Sequence, residues 1–384
     1  MLSIPARRLF LHLPASDLVQ FKLVCKSWHK IITGSVLAEY HLQRWKDKIG
    51  IMFIATNHIL AFEPSYVSLD DISHDHSYAI HKLCPDNPYK FFKYYKILDT
   101  CDGLVLTLMR LMVGLNFEEK LLLSNPMTRM GTWLSMPPFG TSRSDRPFQR
   151  QWLYPDTKHI IYDASTQMYK VVCRRGEDGE CYLMEVANSA QHLTSSWRKI
   201  TILQSTHPME YVAASVSGEG KLHWLIVKRL TIQNILEQVV HEDKVKLLTL
   251  DITTEKFIEV NCPLPYDQNN NMTLSISGSN GKFYQMRFTV CNDFELWDLR
   301  DLNSHRPTWF KRHFPMSVCT TLLPYLESFI CESKDGGKVI FMSQDSLTFT
   351  IYESSTGKCT RHVVGKYFED GAYVGQNLLF MSIV

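Results

Sequence analysis

Four segments of the chain repeat one design, a strand, a polar turn and a second strand. In each, an Asn, Asp or Glu stands three positions before a Thr. Asn125-x-x-Thr128 separates Leu121-Leu122-Leu123 from Trp133-Leu134, and Asp163-x-x-Thr166 separates His159–Tyr162 from Tyr169–Val172. Asp251-x-x-Thr254 separates Leu247–Leu250 from Phe257–Val260, and Glu353-x-x-Thr356 separates Phe349–Tyr352 from Cys359–Val364. The reason is turn chemistry: a short acidic or amide side chain folds back onto the backbone N–H two residues on, and the Thr hydroxyl does the same more weakly. Looser copies run from Phe294–Leu299 to Trp309-Phe310-Lys311 and from Tyr182–Val186 to Trp197–Ile200.

A second element is a glycine that opens a strand, at Gly103, Gly220, Gly281 and Gly337; the last three lie 61 and 56 residues apart. A repeat of about 40 to 60 residues built from about four strands is what a β-propeller blade requires. About six such units fall near 51–98, 101–138, 152–200, 212–263, 274–314 and 325–365. The tail 373–381 reads as one further strand pair that completes the first blade and removes the exposed edges of an open array. The fold class is therefore mostly β over residues 46–384, a propeller of about six blades, with a large β-sandwich as the alternative.

Residues 1–45 read differently. Leu18, Phe21, Cys25, Trp28 and Ile32 are spaced 3, 4, 3 and 4 apart, the period of one helical face, and Val24 and Ile31 widen it. Pro14 breaks the chain before this helix, and Ser16 or Asp17 caps it. The plain reading is a small helical unit packed on its own domain.

The residues themselves resemble a known motif. Leu13-Pro14, Leu18, Val24-Cys25-Lys26-Ser27-Trp28 and Ile31-Ile32 look like the F-box, a three-helix-type unit. The resemblance implies docking onto a Skp1-like adaptor, and through it cullin-1, by Leu13, Pro14, Leu18, Phe21, Val24, Cys25, Lys26, Trp28 and Ile32. One departure stands out: Ile4-Pro5 fits the family's opening, yet Pro5 to Pro14 is nine residues, about one turn shorter than the family pattern.

The second part also resembles a family. Cys101-Asp102-Gly103-Leu104, Asn125-Pro126-x-Thr128-Arg129, Tyr162-Asp163-x-x-Thr166-x-x-Tyr169-Lys170-Val171-Val172, Ser196-Trp197-Arg198, Gly220-x-Leu222-His223-Trp224 and Asp251-x-x-Thr254-Glu255-Lys256-Phe257 look like the plant F-box-associated domain, which follows an F-box and is kelch-like. Together the two resemblances imply the substrate-recognition subunit of an SCF (Skp1–cullin–F-box) ubiquitin ligase. Such a subunit holds a target protein, makes no bonds itself and works in the nucleus or cytoplasm. The alternatives are a scaffold outside the ligase, suggested by the short F-box, and a propeller enzyme.

The remaining features exclude rather than assign. No phosphate-binding, dinucleotide, zinc-protease or nucleophile-elbow motif stands in a plausible setting. Ser27-Trp28-His29-Lys30 contains a formal S-x-x-K, but on a helix beside a core Trp. His74-Asp75-His76 with His81 lies in an acidic stretch and reads as a solvated loop, not a metal site. Arg143, Arg146 and Arg150 read as a basic connection. Trp133, Trp197, Trp224, Trp297 and Trp309 read as blade core. No cofactor is expected.

The net charge of +2 gives no reason to expect nucleic acid. No apolar run is long enough to cross a membrane, and Arg7 and Arg8 interrupt any signal-peptide core. The ten cysteines form no C-x-x-C pair, so free, mostly buried thiols are expected, and the sequon Asn271-Met272-Thr273 is read as accidental.

Overall fold

A computed structural model describes residues 8–13, 15–34, 36–37, 40–41, 44, 49–56, 62–68, 81–82, 92–113, 116–125, 130–138, 156–175, 179–186, 196–200, 210–231, 241–262, 275–279, 282–288, 294–312, 326–332, 337–343, 348–363, 373–374 and 379–382. The chain forms two compact units, Met1–Met136 with Gly365–Val384, and Pro137–Val364.

The first unit carries helices α1 (Ala15–Phe21) and α2 (Lys26–Ile32) and two sheets. Blade I has strands Ile49–Thr56, Phe62–Ser68 and His81–Lys82. The tail strands Tyr373–Val374 and Leu379–Ser382 both pair antiparallel with Ile49–Thr56, at Ala55↔Val374 and Ile49↔Ser382. The tail thus completes the first blade as expected, but as two pieces along one edge and not as a strand pair. Blade II is Phe92–Cys101, Leu104–Val113, Asn116–Asn125 and Met130–Leu134.

The second unit holds four antiparallel four-stranded meanders. Blade III is Thr157–Asp163, Met168–Arg174, Cys181–Val186 and Arg198–Ile200; blade IV is Glu210–Gly218, Lys221–Thr231, His241–Asp251 and Lys256–Asn261. Blade V is Ser275–Ser279, Lys282–Phe288, Phe294–Arg300 and Thr308–Arg312; blade VI is Leu326–Glu332, Lys338–Ser343, Thr348–Glu353 and Lys358–Val363. The first strands of blades III to VI stand beside one another in sequence order, which is blade stacking. Among the described residues there are thus five contiguous four-stranded blades and one sheet assembled from both ends of the chain, in place of six equivalent repeats. Separate small sheets exclude the β-sandwich, which needs two large ones.

Two boundaries move. Phe92–Cys101 belongs to blade II, not to the first repeat, because Cys101 pairs with Leu104 across a hairpin. Gly103 and Gly220 therefore lie inside turns between first and second strands. Asp102 and Gly103 have φ of 50° and 78°, and Glu219 and Gly220 have 51° and 72°. Two successive positive φ values match the twist of paired strands.

The acidic turns fold as their chemistry requires. Asp251 Oδ1 accepts from Thr253 N at 3.1 Å, Thr254 N at 2.8 Å and Thr254 Oγ1 at 3.0 Å. Asp163 Oδ1 accepts from Ser165 N at 3.0 Å, and its Oδ2 accepts from Thr166 Oγ1 at 3.0 Å. Glu353 Oε2 accepts from Thr356 Oγ1 at 2.8 Å. The copies are not equivalent, however. The Asp163 turn joins first and second strands, whereas the Asp251 and Glu353 turns join third and fourth.

The core lies between blades, so strands are buried on both faces and read as continuous apolar runs. Leu222, Trp224 and Ile226 of blade IV face Ile161, Val172 and Leu183 of blade III. Leu225 and Val227 face the other way, onto Phe283 and Leu299 of blade V. Trp224 is fully buried and its indole N–H donates to Thr157 Oγ1 at 2.9 Å. Three other tryptophans correct the expectation of blade core. Trp133 is about half exposed, because its outer strand has no further strand over it. Trp197 precedes its strand and Trp297 is only partly covered, whereas Trp309, also partly covered, packs against the core between blades IV and V as expected. Cys173, Cys181 and Cys262 are buried thiols. Burial pushes the Cys181 thiol up to about 12 and that of Cys262 to about 11.

Polar pairs pin the same interfaces. Buried Lys170 of blade III bonds Asp163 Oδ2 at 2.8 Å and the Ile252 carbonyl of blade IV at 3.3 Å. Thr253 Oγ1 donates to Asp163 Oδ1 at 3.1 Å, and Arg198 makes a two-pronged pair with Glu255. Between blades V and VI, Arg312 bonds Glu332 at 2.9 Å and Asp298 at 3.2 Å, while Tyr284 donates to Glu332 at 3.1 Å.

Burial alone would raise the Asp163 carboxyl, but Lys170, Ser165 and Thr166 hold it well below the ordinary carboxylate range. Burial, aided by Lys221, holds His223 down to about 4. Both groups bind protons more readily unfolded than folded, so both stabilise the fold above their unfolded values and lose that contribution as pH falls. The urea midpoint is expected to drop first between about pH 6.5 and 4, from His223, and further at lower pH, from Asp163. His223→Gln flattens the first phase. Asp163→Asn flattens the second and, by leaving buried Lys170 with only the more distant Glu255 carboxylate at 3.9 Å, costs about 3 kcal/mol at pH 7.

Candidate functional site

The N-terminal helices have a core of their own. Phe10, Leu18, Ile32 and Leu37 are buried, with Leu13, Phe21, Trp28 and Ile31 partly covered around them. Three aromatic rings lock it: Phe10 meets Trp28 edge-on at 5.1 Å between centroids, and Phe21 meets Trp28 edge-on at 5.6 Å. Each such pair adds about 0.5–1.5 kcal/mol beyond burial. The 3-4-3-4 stripe thus folds inward at every position but Cys25.

The ends are capped locally. Cys25 precedes α2 in extended conformation, and its Sγ accepts from Trp28 N at 3.4 Å. Thr33 ends α2, its Oγ1 donating to the His29 carbonyl at 2.7 Å. Buried His41 donates from Nε2 to the Leu13 carbonyl at 2.8 Å, tying the following helical residues to the corner before α1. Burial lowers the His41 pKa, and the bond to Leu13 offsets part of that.

The nine residues read as docking positions separate into two groups. Leu18 and Ile32 are buried, and Phe21 and Trp28 are half-buried in the aromatic cluster. These four make the unit's own core, which two seven-residue helices cannot form without them. Leu13 borders that core, and Pro14, like the opening Ile4-Pro5, lies outside the described residues. Val24, Cys25 and Lys26 are exposed, so Val24 does not widen the buried face.

The exposed surface includes residues the helical period did not single out. Leu23 is 88% exposed, Val24 59%, Leu9 57%, Tyr40 56% and Val36 54%. These are five of the eight large exposed hydrophobics among the described residues, although the helical unit is a small part of the chain. Apolar surface so concentrated marks an interaction site. A signal was present for Leu23, which stands two residues from both Phe21 and Cys25 and so off the stripe's face; Val24, read as widening that face, is exposed because it lies in the turn between α1 and α2. Ser27 and Lys30 of the formal S-x-x-K are simply exposed. His74 to His76 and Arg143, Arg146 and Arg150 lie outside the described residues. Among the described residues no group of three His, Cys, Asp or Glu side chains is placed to hold a metal.

A model of the F-box-associated β-propeller domain matches residues 52–376, and one of the F-box domain matches residues 5–39. The chain belongs to the F-box-associated β-propeller family. Its helical hairpin is the F-box, and blades I to VI are the propeller domain. F-box protein At3g08750 of Arabidopsis thaliana is 23% identical over 263 residues, 66% of this chain and 58% of that protein. The chain therefore spans under two thirds of that relative's length.

Among solved structures, dipeptidyl peptidase 4 of Porphyromonas gingivalis is 10% identical, with a TM-score of 0.35 over 77% of this chain and 51% of that one. Arabinanase Arb43A of Bacillus subtilis is 9% identical, with a TM-score of 0.33 over 68% of this chain and 93% of that one. At such scores neither carries an argument about this protein.

The F-box geometry separates core from surface. Phe10→Ala is expected to destabilise the helical unit by about 3–5 kcal/mol, read as early proteolytic cleavage within residues 8–44. Leu23→Ser and Val24→Ser are expected to change stability by no more than about 0.5 kcal/mol.

Proposed function

We propose that this protein is the substrate-recognition subunit of an SCF-type ubiquitin ligase. The F-box docks a Skp1-like adaptor and through it cullin-1, and the propeller domain holds a target protein. The observation that carries this reading is the exposed run Leu23-Val24-Cys25-Lys26 at the turn into α2, on a unit whose other stripe residues form its own core. Apolar side chains held outward on a capped turn are placed to enter a partner's groove.

No bond-making step is assigned to the chain itself. The gain is proximity: a tethered target lysine meets the ubiquitin-charged enzyme as an effectively intramolecular partner. F-box proteins are typically non-catalytic adaptors, which fits a site made of apolar and cationic groups without a nucleophile–base pair.

The test is co-purification of the full chain with a Skp1-like adaptor and cullin-1. Wild type is expected to bind, and Leu23→Asp with Val24→Asp to lose at least tenfold in affinity while keeping the wild-type melting temperature. Absence of wild-type binding, or binding indifferent to both substitutions, overturns the proposal. A scaffold working outside the ligase predicts instead a propeller-bound partner whose abundance does not rise when the protein is removed.

A further inference from the structure

Resting on the adaptor-docking reading above, we infer that the F-box surface is built for an acidic face on its partner, and that charge sets the rate at which the two meet. Residues 1–45 carry six Lys or Arg against two Asp or Glu, a net +4, so the rest of the chain, with the whole at +2, carries −2. The cations are also arranged. Lys22 lies just after α1, and Lys26 and Lys30 stand one turn apart on α2, both exposed. Like charges four apart on a helix disfavour it, and α2 is only seven residues long.

Among the described residues no acidic side chain answers Lys22, Lys26 and Lys30. Asp17 is the only acidic residue among the described residues of the helical unit, and there none of Lys22, Lys26 and Lys30 has an ion-pair partner. The blades behave differently: Lys170, Arg198, Lys246 and Arg312 all sit in ion pairs. Among the described residues, these blade cations are paired, whereas Lys22, Lys26 and Lys30 around the exposed apolar turn are not. Lys26 is two residues from Val24 and three from Leu23, so the charge borders the apolar patch. That combination of apolar centre and cationic rim fits a protein surface with an apolar groove edged by carboxylates. Duplex DNA and anionic lipid headgroups supply the charge, but the former gives Leu23 no apolar pocket.

Rim charges act mainly on association, by steering, while buried contacts set dissociation. The experiment measures association and dissociation rates of the full chain with a purified Skp1-like adaptor between 50 mM and 500 mM salt. Association is expected to fall at least tenfold across that range. Lys26→Glu with Lys30→Glu is expected to slow it at least tenfold at low salt, with dissociation changed less than threefold. Lys26→Arg with Lys30→Arg restores the wild-type rate. Binding whose association ignores salt and charge reversal overturns this inference and leaves the docking reading standing; no binding at any salt overturns both. Duplex DNA or anionic vesicles that compete fully with the adaptor at low salt also overturn it, by showing a surface that selects charge alone.

Discussion

The contact between adjacent blade faces carries the second unit. A four-stranded sheet with two apolar faces cannot stand alone in water, and each blade is stable only when the next covers it. Trp224 shows how that is done. Its ring fills the space between blades III and IV, and its N–H is satisfied across the same seam by Thr157. An indole buried without that acceptor leaves a donor unpaired in an apolar setting, which is costly.

Around this apolar seam lie charged pairs that cross from blade to blade. Lys170 binds the carboxylate of its own blade and a carbonyl of the next, and Arg312 spans Asp298 and Glu332. Ion pairs of this kind add little net stability over an apolar equivalent, but an alternative register leaves a charge buried and unpaired. Their effect is to fix which blade meets which. The acidic turns take part as well: Asp163 closes its own hairpin and receives Thr253 from the neighbouring one.

The F-box solves a smaller problem in the opposite way. Two short helices have so little shared surface that four of the five stripe residues, Leu18, Phe21, Trp28 and Ile32, go into one core with Phe10. What remains outside is the turn between them, held by the Cys25 cap. The unit's exposed apolar residues are therefore those left over from its core. Leu18 and Ile32, read as contacts, are buried; Leu23, unread, is nearly bare.

The sequence by itself determined what depends on a few neighbouring residues. It showed the acidic turns, the strands on either side of them, the change from helical to β texture and the F-box motif, because each is written within four to ten residues of chain. Tertiary structure decided four things. It placed Phe92–Cys101 in blade II and split the tail along blade I. It assigned one acidic turn to a different pair of strands from the others. It also settled which apolar residues face inward. The physical reason is the same in each case: period and turn chemistry are local, whereas the face a residue buries depends on what another part of the chain brings against it.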